Sequence, residues 1–343
     1  MTTTAMEAST TGAAEPGRSR MRAIVHERYG RPAPGVLELL EVDAPIPKDD
    51  EVLVRVRASS VNPVEWYGVT GPYFARVGAG WRAPKDTRVG ADLSGVVEAV
   101  GPGVEGLAPG DEVYGSGPGA WAEFAVAAPD RLAPKPVNAS FEEAAAVPIA
   151  GLTALQALRD HGRLEPGEKV LVNGASGGVG TFAVQLAKAF GGDVTAVCST
   201  RNVEQAHALG ADRVVDYTKE DFTGLGIRHD LMVDIAGSRS FLACRRALTA
   251  DARFVVVGGK LSYRGFGPLP HIAATLLTSR FRSQTTSFFV AKVTTEHLSL
   301  VRELIDAGTV RPVVERTYQL SEACEALAQL GAGHARGKLV ISV

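Results

Sequence analysis

The stretch that decides the fold is "KVLVNGASGGVGTFAVQLAKAF", residues 169–190. It opens on a β-branched apolar run, "KVLVN", and closes on apolar residues at helical spacing. Between them lies "GASGGVG", residues 174–180, in which four of the seven residues are glycine. A strand that turns through glycine into a helix leaves the first N–H groups and the positive dipole end of that helix facing whatever lies over the loop, which suits an anion. Gly174 permits the tight turn, Gly177 and Gly178 let a diphosphate approach the backbone, and Gly180 lets the helix pack close to the strand. Phe182, Leu186 and Phe190 then share the helical face toward the sheet, with Gly191 as the stop. A flexible turn would also be glycine-rich. The strand before, the helix after and a second strand at crossover length favour dinucleotide binding.

Outward from the loop, strands are expected at 169–173, 193–199, 213–217, 230–236 and 253–258, with helices at 180–190, 203–209 and about 239–249. The strands are apolar nearly throughout, as parallel strands covered on both faces are, so this half reads as an α/β, doubly wound sheet. Upstream the pattern differs. "EVLVRVRASSV" alternates with period two, "LSGVVEAVG" and "AWAEFAVAA" are further strand candidates, and "GPGVEGLAPGDEV" is turn chemistry. The switch comes near residue 140, in "SFEEAAAVPIAGLTALQAL", where Ser140 and Glu143 are spaced as a capping box. From 292 on, "HLSLVRELIDAGTV" and "SEACEALAQL" read as helices and "GKLVISV" as a strand, so the end of the chain is expected to rejoin the first part.

The whole chain limits the function classes. A length of 343 residues suggests two domains, and a net charge of −2 offers no basic field for nucleic acid or an anionic membrane. Cys198, Cys244 and Cys324 are odd in number and far apart, which argues against a disulfide framework and suits a reducing cytoplasm. The first twenty residues are small and polar, without the apolar core of a signal peptide, and read as a disordered tail before the strand that Met21 opens. No window approaches the length of a membrane span.

The end of the second strand selects the dinucleotide. An acid there would bond the ribose 2′-OH of NAD. This strand ends "AVCSTRN", with Ser199, Thr200 and Arg201 where the acid would stand. A hydroxyl and a guanidinium suit a 2′-phosphate, so NADPH is the expected cofactor. Asn202 and Gln205 also look like a capping pair, a reading that leaves Ser199 and Arg201 available.

Four stretches, "SSVNPVEWYGVTG", "GDEVYG", "VLVNGASGGVGTFAVQLAK" and "GHARGKLVI", together resemble the medium-chain dehydrogenase/reductases, and most nearly their zinc-free quinone oxidoreductase branch. The resemblance spans about residues 21–343. It implies a Rossmann domain inserted in a GroES-like β-barrel catalytic domain. The corresponding boundaries are a tail at 1–20, a first catalytic part at 21–145, the Rossmann domain at 146–290 and a return to the catalytic domain at 291–343. It also implies cofactor contacts at Ser176, Gly178 and Val179, at Ser199, at Tyr217 in "VVDYT", at Phe288 in "FFVAK", and at His334, Ala335 and Arg336. Thr153 in "AGLTA" is expected beside the nicotinamide or substrate, and the family suggests a homodimer through the edge of the Rossmann sheet. Zinc enzymes of the superfamily carry a Cys at the place of Asn62, a His–Glu pair at the places of Ala91 and Asp92, and a four-cysteine lobe. Three scattered cysteines supply neither set, and His26, His161 and His271 stand without partners at ligand spacing.

Without zinc as a Lewis acid, oxidation of a plain alcohol is hard. Hydride delivery to an electron-poor acceptor, a quinone or an α,β-unsaturated carbonyl, needs only orientation and a donor for the developing oxyanion. Tyr67 and Asn62 in "VNPVEWY" are the polar candidates: Tyr67 as that donor, Asn62 bordering the nicotinamide. Glu65 is expected at an exposed surface and Trp66 near the mouth of the cleft. The stretch 263–286 is expected to line the cleft or a subunit interface. Two other readings stay open: a metal-free alcohol dehydrogenase or carbonyl reductase, and an NADPH-binding protein without turnover.

Overall fold

In a computed structural model of the chain, residues 19–259, 261, 265–333 and 335–343 are described. The tail up to residue 18, Tyr263 and Arg264 of the 263–286 stretch, and His334 of the C-terminal motif therefore lie outside the described residues. The strand expected to open at Met21 begins one residue earlier, as Arg20–Val25.

The strand before the glycine loop, Lys169–Asn173, is an inner strand of a six-stranded sheet. Across the sheet lie Arg213–Asp216, Asp193–Cys198, Lys169–Asn173, His229–Asp234, Leu248–Val256 and Thr285–Phe288, every pair parallel. Counted along the chain this is the order 3-2-1-4-5-6 of a doubly wound dinucleotide fold. The order reverses between Lys169–Asn173 and His229–Asp234, so the crevice at their carboxyl ends lies beside the glycine loop. Val170, Leu171 and Val172 are fully buried, as a strand covered on both faces requires. The helix Gly178–Ala189 lays Phe182 and Leu186 into the same core, and Gly191, at φ +82°, ends the turn after it.

Two elements depart from expectation. The helix expected at 239–249 is only Phe241–Cys244 with a 3₁₀ turn at Arg245–Ala247. From Leu248 the chain is strand, because that segment finds a ready partner in His229–Asp234; sheet pairing overrides local helix propensity. The sixth strand, Thr285–Phe288, "TTSF", has no apolar pattern to announce it and exists by pairing with Arg253–Val256.

The second sheet has seven strands. Val314–Gln319, Lys338–Ser342, Val52–Ser60, Asp92–Val100, Glu112–Ser116 and Leu132–Pro134 run in that order, and Phe124–Ala127 also pairs with Val52–Ser60. Lys338–Ser342 thus lies antiparallel beside Val52–Ser60, with Val340 opposite Ser60, although the doubly wound sheet comes between them in sequence. "VERTYQ", 314–319, was not anticipated as a strand; its four polar residues hide the pattern of an edge.

The junction begins with the expected capping box: Ser140 Oγ accepts from Glu143 N at 3.2 Å, and Glu143 Oε2 accepts from Ser140 N at 2.9 Å. Pro148 divides the run into Phe141–Ala145 and Pro148–Gln156, since proline can start a helix but not continue one. The helix Thr295–Asp306 packs Leu298, Val301 and Ile305 into the core of the doubly wound half. It also receives a hydrogen bond from the first part of the chain, Tyr114 Oη to Leu298 O at 2.6 Å.

Candidate active site

The glycines of the loop meet different surroundings. Gly174 sits at φ +96°, where a side chain would strain the backbone. A Cβ on Gly180 would lie 2.1 Å from Gly174 O, so helix and turn touch there. A Cβ on Gly178 would lie 2.7 Å from Lys338 Cδ. Gly177 meets nothing nearer than 4.0 Å and is the open side of the loop. The first intrahelical bond runs from Thr181 N to Gly177 O at 3.0 Å, which leaves the N–H groups of Gly178, Val179 and Gly180 ahead of it. With Ser176 these residues present an uncharged run of N–H groups at a helix start, the kind of feature that suits an anion.

Ser199 closes the second strand and accepts from Asn202 Nδ2 at 3.1 Å. The capping pair expected of Asn202 and Gln205 is not formed: Asn202 makes no side-chain cap, because its amide turns back to Ser199, and Gln205 Oε1 accepts from Arg336 Nε at 2.6 Å. Asn202 Oδ1 and Gln205 Nε2 are buried with no partner among the described residues. Arg336 is held by its backbone too, donating to Glu315 Oε2 at 2.6 Å. The C-terminal motif is thereby brought to the end of the second strand, with Ala335 beside it and Arg201 exposed on the same turn. Tyr217 is half-exposed and tied by its N–H to Cys198 O at 3.0 Å. An acid missed in the sequence stands close by on the third strand. Asp216 accepts from Thr200 Oγ1 at 2.6 Å and Thr218 Oγ1 at 2.7 Å and faces Lys219 at 3.3 Å; these bonds hold its carboxyl well below the usual range. Phe288 ends the sixth strand, partly exposed, and Thr153 is half-buried on the helix Pro148–Gln156.

Asn62 precedes the helix Pro63–Thr70, which carries Tyr67. Its side chain is enclosed rather than presented: Nδ2 donates to Asp92 Oδ2 at 2.9 Å and Ser60 Oγ at 3.3 Å, and Oδ1 accepts from Lys338 Nζ at 2.5 Å. Lys338 also donates to Val61 O at 3.2 Å and faces Asp92 Oδ2 at 3.9 Å. Asp92 accepts further from Ser60 Oγ at 2.7 Å and from Ile149 N at 3.1 Å. Glu65 is not at the surface as expected. It is 5% exposed, because its Oε2 accepts from Asn62 N at 2.7 Å and folds the carboxyl back under the helix. Burial, then the Asp92 charge, pushes Glu65 up to about 8, against the pull of Lys338. Burial likewise raises Asp92 and lowers Lys338. Glu65 Oε1 has no partner among the described residues, in keeping with a neutral carboxyl.

Trp66 is not at a cleft mouth either; its ring seats against Gly331, where a Cβ would meet Cζ3 at 1.9 Å. Tyr67 is half-buried, edge-on to Phe74 at 5.1 Å, and burial lifts its phenol to about 12. It is therefore a protonated donor at neutral pH, and its hydroxyl has no hydrogen-bond partner among the described residues. Part of the 263–286 stretch crosses to this region: Tyr73 N donates to Gly265 O at 3.0 Å, and a Cβ on Gly267 would touch Phe74 at 2.6 Å.

The residues at the zinc-enzyme positions do not fit a zinc ion. Asn62 and Asp92 do meet, but they bond each other directly with the ammonium of Lys338 beside both, and among the described residues no three of His, Cys, Asp or Glu are grouped to hold a metal. His271 has a partner, Asp234 Oδ2 at 3.3 Å, yet no further ligand joins the pair.

A doubly wound sheet of dinucleotide-binding order, inserted before the last two strands of a second sheet, is the architecture of an NAD(P)H-dependent oxidoreductase. Comparison with known proteins narrows the class. Residues 48–137 match the alcohol dehydrogenase GroES-like domain, and residues 209–341 match the family described as zinc-binding dehydrogenase. The mitochondrial NAD(P)H oxidoreductase RTN4IP1 of Mus musculus is 34% identical, covering 86% of this chain and 82% of its own. The 2-methylene-furan-3-one reductase of Solanum lycopersicum is 33% identical over 94% of this chain and 79% of its own. The structure of the quinone oxidoreductase from Coxiella burnetii superposes with a TM-score of 0.82 at 30% identity, covering 95% of this chain and 100% of that one. The chain belongs to the medium-chain dehydrogenase/reductase superfamily, in its quinone oxidoreductase branch.

Proposed function

We propose that the protein transfers a hydride from NADPH to the electron-poor carbon of a quinone or an α,β-unsaturated carbonyl, without a metal. The observation that carries this reading is a protonated Tyr67, its hydroxyl without a hydrogen-bond partner among the described residues, on the helix that departs from the buried Lys338 cluster. The cofactor supplies the hydride when bound. The protein's own part is to hold its diphosphate on residues 176–180, to take a 2′-phosphate near Ser199, Arg201 and Arg336, and to meet the acceptor with Tyr67. As negative charge grows on the acceptor's oxygen, the Tyr67 hydroxyl donates to it. Such a site orients reactants and bonds an oxyanion, and among the described residues no exposed strong base stands beside Tyr67 to strip a proton from an alcohol.

Deuteride from labelled NADPH should appear at the β-carbon of an enone product. Label at the carbonyl carbon would instead establish a carbonyl reductase. For the cofactor, calorimetry should find NADPH bound more tightly than NADH; equal affinities would overturn the assignment of Ser199, Arg201 and Arg336. We read the protein as cytoplasmic and as a homodimer through the edge strand Thr285–Phe288, the latter testable by sedimentation.

A further inference from the structure

We propose that Lys338 is a positioning residue that ties the cofactor loop to the helix carrying Tyr67, and so sets where that hydroxyl stands relative to the nicotinamide. The inference rests on the reading of Tyr67 given above.

Lys338 reaches both sides of the active site. Toward the cofactor, its stem fills the space a side chain on Gly178 would take, at 2.7 Å from that Cβ position, and its neighbour Gly337 bridges to Gly177. Toward the acceptor, its ammonium donates to Asn62 Oδ1 at 2.5 Å and Val61 O at 3.2 Å, the two residues from which Pro63–Thr70 departs. The backbone repeats the tie, since Val61 N donates to Leu339 O at 2.9 Å. Three elements surround the ammonium: Asn62 at the start of the helix accepts from it, Asp92 on its strand faces it at 3.9 Å, and Ser60 is bonded to both Asn62 and Asp92. A lysine 3% exposed, with its charge fixed in this way, has little freedom to move independently of either side. Displacing the loop displaces its stem; displacing its ammonium releases the start of the Tyr67 helix. A shift of about 1 Å in a reacting geometry costs on the order of 100-fold in rate, so a residue touching neither reactant can govern turnover.

The test is a cycle of Lys338→Met, Tyr67→Phe and the double variant, reading kcat, NADPH affinity and the thermal melt. Methionine keeps the stem and removes the ammonium. If Lys338→Met fails to melt cooperatively, Lys338→Met with Asp92→Asn removes both charges together and replaces it. Lys338→Met should lower kcat by about 30- to 100-fold and leave NADPH affinity within about threefold. In the double variant kcat should fall little below that of Tyr67→Phe, because the two act as one unit. Three results would overturn the proposal. They are a native kcat, a loss explained by weaker NADPH binding, and losses that multiply in the double variant. A defective Tyr67→Phe with multiplying losses removes only the role of Lys338. A fully active Tyr67→Phe removes the Tyr67 reading itself, and the linkage with it.

Discussion

The glycine loop and the Lys338 cluster meet at Gly178 and are built on opposite principles. The loop is backbone alone: its chemistry is a set of N–H groups, and every side chain is kept small so that a ligand can come near. The cluster is mostly side chains: two acids, an amide, a hydroxyl and an ammonium, buried and bonded to one another or to nearby backbone. The loop has to be open to bind an anion; the cluster has to be closed, because buried charges are tolerated only when paired. The difference teaches that binding and positioning have been assigned to separate materials, so each can be broken without the other.

The largest effect should come from Gly180→Ala, which forces a Cβ to 2.1 Å from a backbone oxygen that cannot give way. NADPH binding followed by fluorescence should fall by about 100-fold or more, with a lowered melt. Gly177→Ala is the control, since its Cβ meets only open space; it should melt as the native protein does, and any loss of affinity then belongs to the ligand. A Gly180→Ala protein with native affinity would mean that the loop is not held as described.

Next is Asp92→Ala, which leaves the ammonium of Lys338 buried with its main counter-charge gone. Urea unfolding should show a loss of about 3–5 kcal/mol. A loss below about 1 kcal/mol would mean the cluster is hydrated rather than closed.

The narrowest test, since its effect vanishes at low pH, is Glu65→Gln. Glu65 has an ordinary value of 4.5 and stands at about 8 in the folded chain. Between those values the folded protein keeps a proton that the unfolded chain has released. Stability from this group is therefore whole below about pH 4.5 and is lost as pH rises through about 8. Glutamine imitates the protonated carboxyl at every pH, so the variant should match the native melt near pH 5 and exceed it near pH 9. Parallel melting curves across that range would show that Glu65 is ionised throughout.

The same contrast explains what was legible in the sequence. The loop lies within seven consecutive residues, and glycine is informative because so few conformations require it, so "GASGGVG" revealed the strand, the helix and the doubly wound class of the sheet around it. The cluster draws on residues 60, 62, 65, 92 and 338, and nothing local joins them. Glu65 looked like a surface acid because a helix start is an ordinary place for one. Only the enclosure by Asn62, Asp92 and Lys338 makes it a buried one. One signal was present: "GKLVISV" opens an otherwise apolar strand with a lysine, and a charge in a strand buried along its length implies a partner. Strands held by tertiary pairing, such as Thr285–Phe288, carry no such mark.

The place of Lys338–Ser342 beside Val52–Ser60 has a consequence for the growing chain. The two halves of the Lys338–Asn62 bond are 276 residues apart. At roughly 5–20 residues per second, a ribosome needs from about a quarter of a minute to nearly a minute to deliver the second half after the first. The doubly wound sheet lies wholly within that interval and can close while the 58–60 end of Val52–Ser60 still waits unpaired on that edge. For that time the strand is open to pairing with a neighbouring nascent chain, and protection by a chaperone matters most there. In each molecule the cofactor loop is therefore built before the lysine that joins it to the Tyr67 helix arrives.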